Sequence, residues 1–298
     1  MNAQKRSRYR VLREVLGFID TRAFARRNTM LRPTILMHLA RALRAVVGRE
    51  LNKFLRQPSR LASSLVRPLL WFVVFSAGFH NVFGVAIIAP YETYVDYKEY
   101  MLPGLLGMIA LFNGMQSSLS MVYDREMGVM RLLLTAPLPR GWLLGFKLAG
   151  STALSLVQML VFMAVAWAFG VDATWGWLAA LPAMLLCATM LAALGLMLSV
   201  HIRQLENFAG TMNFVIFPMF FISTALYPLW KLQESGALWL YQLAQVNPFT
   251  AAVELMRYAL QGQLNIQAAA IVALTAALSF ALALRGYDPQ RGWVRQRG

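Results

Sequence analysis

YMLPGLLGMIALFNGMQSSLSMVY, Tyr100 to Tyr123, runs for 24 residues without a charged side chain. At 1.5 Å rise per residue, a helix of that length reaches across the ~30 Å hydrocarbon core of a bilayer. Five further windows lack Asp, Glu, Lys and Arg: Pro68–Tyr91, Leu148–Val171, Ala173–Ile202, Asn207–Trp230 and Tyr258–Leu284. Each holds the ~20 residues a spanning helix needs. The whole chain of 298 residues is 58% hydrophobic and only 14% charged, where soluble domains carry about 25% charged residues. The expected fold is an all-α integral membrane protein with six transmembrane helices. A seventh window, Ser235–Val253, is shorter and contains Gln242, Gln245, Asn247 and Pro248. Those polar groups are costly in lipid, so the window reads as a re-entrant or interfacial segment.

Basic residues fix the expected orientation. Of the 28 Lys and Arg, a six-span map puts 25 on one side and leaves Lys98, Lys231 and Arg257 on the other. Positive charge marks the cytoplasmic side, so both termini are expected there. The net charge of +15 then reflects topology. A nucleic-acid binder would need a basic face on a soluble fold, and no stretch long enough for one remains.

The chain divides into four parts on this reading. Residues 1–34 form a basic cytosolic arm, expected to be disordered, in which Met30 offers a second start. No apolar h-region and small-residue cleavage site follow the first basic residues, so no cleaved signal peptide is expected. Residues 35–57 show Leu36, Leu39, Leu43, Val46, Val47, Leu51, Phe54 and Leu55 at three- and four-residue steps, with arginines and lysines between them. This pattern predicts an amphipathic helix at the membrane interface, ended by Pro58. Residues 63–285 hold the six spans, and 286–298 form a basic cytosolic tail.

Several chemistries find no support. His38, His80 and His201 are scattered, no zinc-protease motif occurs, and the lone Cys187 sits inside the fourth window as a small buried residue. GFKLAGST, Gly145–Thr152, imitates a phosphate loop, but Lys147 comes too early and no strand precedes it. The windows carry no ionisable core residue of the kind a proton pump uses. No nucleic acid, metal or cofactor is expected on this chain.

Two features remain for function. Asn113, Gln116, Ser117 and Ser120 recur at helical spacing on the second span, either as glue between helices or as the lining of a polar route. After that span comes an island, YDREMGVMRLLLTAPLPRG, Tyr123–Gly141. Asp124 is suited to cap a short helix with Glu126 in its first turn, Met127, Met130, Leu133 and Leu134 form an apolar stripe, and Pro137 and Pro139 end it. Such a helix either lies on the membrane or enters a partner's groove. Further on, Asn247 and Pro248 suit a helix start, and Glu254 and Arg257 stand three apart, as a local ion pair or a gating element.

Three stretches taken in order resemble ABC-2-type permeases, the membrane subunits of ATP-binding-cassette transporters: YDREMGVMRLLLTAPLPRGWLLGFKL, LENFAGTMNFVIFPMFFISTALYPLW and VNPFTAAVELMRYALQG. The resemblance covers roughly residues 45–285. It is also similar to the branch found with PQQ-dependent alcohol oxidation. The resemblance implies a non-catalytic exporter subunit in the bacterial inner membrane. It implies pairing with a second copy or a related permease, and two ATP-binding subunits that carry ATP and Mg. Tyr123, Asp124, Arg125, Glu126, Gly128, Arg131, Leu134 and Pro137 would couple to those subunits. Spans two and five would line the route, through Asn113, Gln116, Ser117, Ser120, Asn213 and Phe217. Asn247, Pro248, Glu254 and Arg257 would belong to outer re-entrant helices between spans five and six. Two other functions stand beside this one: a membrane enzyme using Glu92, Asp96 or Glu99, or a membrane scaffold or assembly factor.

Overall fold

Apolar chain removed from water must satisfy its backbone N–H and C=O groups internally, and the helix does so within one segment. Among the described residues of this computed structural model there are nine helices and no strand. They are α1 (Pro58–Gly78), α2 (Tyr97–Glu126), α3 (Arg140–Ala168), α4 (Gly176–His201), α5 (Leu205–Phe221), α6 (Leu229–Glu234), α7 (Leu238–Val246), α8 (Pro248–Leu260) and α9 (Ile266–Gly286). The structure describes residues 58–78, 89–91, 95–126, 140–172, 175–202 and 205–286, with a few positions between 41 and 52. The expected arm 1–34, most of the interface helix 35–57, the island from 127 to 139 and the tail from 287 lie outside the described residues. The chain divides into two compact units, Met1–Val46 and Val47–Gly298. In the first, Arg41, Leu43 and Arg44 are helical and exposed, and all nine helices belong to the second.

Four helices are long and apolar enough to cross a membrane: Tyr97–Tyr123, Gly141–Ala168, Gly176–His201 and Ile266–Gly286. They correspond to the second, third, fourth and sixth windows. In the other two windows the apolar helical stretch is shorter: Leu65–Gly78 within α1, and the 17 residues of α5. The first differs from expectation at its start. Its helix opens at Pro58, ten residues before the charge-free run, because proline fits the first turn of a helix, where its missing N–H costs nothing. Arg67 therefore lies inside α1.

α2 and α4 form the centre. α4 is apolar on every side, as a helix surrounded by others should be, and it packs against α2, α3, α8 and α9. Its contact with α2 is made by small residues. A Cβ on Gly195 would lie 2.7 Å from the Gly114 carbonyl oxygen, and one on Gly114 would lie 2.9 Å from that of Leu191. The two backbones come together there with only the Ser118 hydroxyl beside them, 2.6 Å from the same Gly195 Cβ, the close contact of helices without a hydrophobic force to join them. α1 packs on α2 and α3, and α5 packs on α2. Cys187 is buried where α4 meets α8, its thiol directed at the Ala252 carbonyl, 3.4 Å away.

Candidate functional site

The polar residues of α2 separate into different environments. Asn113 is buried, and its amide donates to the Ser151 carbonyl at 3.1 Å and to the Ser155 hydroxyl at 2.6 Å, both on α3. Gln116 and Ser120 are exposed and Ser117 is half-buried. Ser120 turns its hydroxyl back to the Ser117 carbonyl. Ser118, which the spacing argument passed over, is buried and donates to the Gly114 carbonyl at 2.8 Å. On α5, Asn213 is exposed, and the half-exposed ring of Phe217 stacks on Phe221.

Asn113, Gln116 and Asn213 meet at one cavity of about 170 Å³ between α1, α2, α3 and α5. Gln158 of α3 and Arg67 of α1 complete its polar wall. The Arg67 guanidinium carbon lies 4.0 Å from the centroid of the Phe112 ring. Arg67 escaped the sequence windows because it is the residue immediately before the first of them. Ser117, Ser120 and Phe217 do not line this cavity.

A second polar cluster gathers around the turn that follows α5. The turn has carbonyl oxygens that no helix uses, and four side chains reach them. Tyr97 donates to Leu226 at 2.9 Å and Tyr100 to Thr224 at 3.2 Å. Arg257 donates to the same Thr224 carbonyl at 2.6 Å, and Asn247 donates to Met219 at 2.8 Å and also to Ile222. Asn247 thus caps two helices. Its amide nitrogen serves carbonyls of the last turn of α5, while its oxygen accepts from the Phe249 N–H at the start of α8, with Pro248 at the first position. That helix start matches the sequence expectation. Arg257 is 2% exposed, forms an ion pair with Glu254, and lies with its guanidinium carbon 4.2 Å from the centroid of the Tyr100 ring. The i,i+3 pair was visible in the spacing. The burial was not, because Thr224 and Tyr100 come from distant positions. Tyr91 is buried beside it, and burial pushes its phenol up to about 12, so it is neutral at physiological pH.

At the far end of α2 the helix continues through Glu126. Asp124 therefore sits in the last turn of α2 and does not cap a new helix. Nothing in Val-Tyr-Asp-Arg-Glu breaks a helix, and the first glycine is Gly128. Tyr123 is exposed there. Gly128, Arg131, Leu134 and Pro137 lie outside the described residues.

The architecture defines a polytopic, all-helical membrane protein with a polar cavity among its helices. The ABC-2 type transporter family model matches residues 41–260, and the chain belongs to that family. It is 30% identical to the transport permease ycf38 of Porphyra purpurea over 223 residues, 72% of each chain. It is 29% identical to the ycf38 of Pyropia yezoensis over 227 residues, 74% of each chain. It is also 26% identical to the multidrug ABC transporter permease YbhR of Escherichia coli K12, over 53% of this chain and 42% of that one. The chain is therefore a transport permease.

Proposed function

We propose that this permease is the membrane subunit of an ATP-driven exporter, working as a pair of permeases with two ATP-binding subunits in the bacterial inner membrane. ATP and Mg would be held by those subunits. The observation that carries the proposal is that α2 runs on through the first four residues of the island, Tyr123 to Glu126. One helix has Asn113 and Gln116 at the cavity and runs unbroken to Glu126, where the amphipathic stripe of 127–134 begins. A movement imposed on the island would reach the cavity through a rigid rod of about 15 Å.

Six spans follow if α1 and α5 join the four longer helices. The 21 residues of α1 extend about 31 Å and the 17 of α5 about 25 Å. The 9 and 13 residues of α7 and α8 are too few to cross, which suits re-entrant helices on the outer side. Both termini then face the cytoplasm, with the basic residues other than Arg67 inside α1 and Lys98, Lys231 and Arg257 on the outer side. Closure of the ATP-binding subunits would push the island, tilt α2 against α5, and turn an inward-facing cavity outward.

Replacing both Glu126 and Arg131 with alanine should weaken co-purification of the ATP-binding subunit by at least about tenfold, or leave binding intact while hydrolysis no longer drives transport. The checks are a pull-down from membranes and ATPase and transport assays on the same vesicles. Unchanged docking together with unchanged transport would remove the island from the coupling path.

A further inference from the structure

We propose that the cavity between α1, α2, α3 and α5 is a binding site for an oxyanion head group, phosphate or carboxylate, carried on an apolar tail. The anchor is Arg67. Phe112 stands 15 residues from the start of α2 at Tyr97 and 11 before Tyr123. The guanidinium against its ring is therefore about 16 Å from the Tyr123 end, near mid-height of the bundle. A cation at that depth is costly unless something compensates it. Among the described residues no carboxylate forms an ion pair with Arg67, and the other polar groups at the cavity are the uncharged amides of Asn113, Gln116, Gln158 and Asn213.

The geometry is that of a receptor for negative charge. The cation–π contact with Phe112 uses no N–H···O bond, so it leaves guanidinium N–H donors for a ligand. Those donors match the fork of a phosphate or carboxylate. Gln116 on α2 and Asn213 on α5 offer amide N–H groups at the same cavity, and both are exposed. A volume of about 170 Å³ falls below the ~300 Å³ at which drug-sized ligand sites begin, so it suits a head group and not a whole amphiphile. Met108, Ile109 and Met212 supply apolar wall on which a tail can start. As cargo, such a ligand rests on the exporter reading above. As a binding site, it does not.

The test uses the full chain in phosphatidylcholine nanodiscs, with dodecyl phosphate as probe and dodecyl maltoside as its neutral match. Binding is followed by intrinsic tryptophan fluorescence, since Trp71 lies one helical turn from Arg67. Dodecyl phosphate should bind at least about tenfold more tightly than the maltoside. Arg67→Gln should abolish that preference, and Arg67→Lys should retain part of it. Gln116→Ala, on a different helix and at an exposed position, should weaken binding several-fold and decides the matter if Arg67→Gln fails to fold. Competition by phosphatidylglycerol added to the discs would identify a membrane lipid as the source, and competition by inorganic phosphate a free anion. Equal binding of both dodecyl probes to the wild type, or an undiminished phosphate preference in folded Arg67→Gln, would overturn the site. No ATP-binding subunit enters the assay, so its failure would leave the coupling proposal standing, and failure of coupling would leave this site standing.

Discussion

Arg257→Ala should destabilise the protein by about 3 kcal/mol, measured as loss of thermal and denaturant stability in detergent. The substitution removes a guanidinium that binds Glu254, donates to the Thr224 carbonyl at 2.6 Å and lies over Tyr100. Removing one member of a buried pair leaves the other's charge uncompensated, typically at about 3–5 kcal/mol. The low end applies here because the Glu254 side chain retains 24% exposure. Part of the loss is conformational: without Arg257, the hold of α8 on the turn after α5 is reduced to the Asn247 cap. Arg257→Lys should recover only part of the stability, since a single ammonium cannot reproduce the planar fork. The double replacement of Arg257 and Glu254 by alanine should cost less than the two single ones added together, because the orphaned carboxylate is gone. A change in Arg257→Ala within about 0.5 kcal/mol of zero would show that this cluster does not hold the turn in place.

Gly176→Ala should be comparably damaging, near the upper end of the roughly 1–3 kcal/mol that overpacking costs. A Cβ on Gly176 would sit 1.8 Å from the Leu260 carbonyl oxygen and 2.5 Å from its carbonyl carbon. Both are backbone atoms at the end of α8, so no rotamer change relieves the clash, and α4 and α8 must part. Gly145→Ala is the matched control. It is also a helical glycine, but its Cβ would meet nothing within 4 Å. Alanine is the better helix former by about 1 kcal/mol, so the control should be neutral or slightly stabilising. Equal melting temperatures for the two variants would contradict the tight contact between α4 and α8.

The sequence was most legible where a single segment decides the outcome. Four charge-free windows became helices long enough to span because an apolar run of 20 residues has few other solutions. Their ends were less legible. α3 starts at Arg140 and carries Lys147, since long basic side chains at a helix end can reach out to the interface. Window six began at Tyr258, yet those first residues finish α8 and turn before α9 opens at Ile266. Absence of charge cannot mark a turn.

The candidate site was read in part. Asn113 and Gln116 were picked out by residue type and spacing and Asn213 through the resemblance, and the three share a cavity. Arg67 was lost because a charge-based window ends at the charge itself. Helix continuity from Pro58 was the signal that would have kept it in view. Asn247 was recognised as a cap from two adjacent letters, while its bonds to α5 depend on tertiary packing. The same holds for Tyr97, Tyr100 and Arg257: three polar side chains converge on one turn, and no local pattern announces a shared carbonyl.

Coupling to a separate ATP-binding subunit is the central claim, and the most direct measurement is ATP hydrolysis by the purified chain alone and after co-expression with that subunit. The account predicts no hydrolysis by the chain alone, and a co-purifying complex whose hydrolysis falls when Glu126 and Arg131 are both replaced by alanine. Robust hydrolysis by the isolated chain, or failure of any ATP-binding subunit to co-purify with it, would contradict the account.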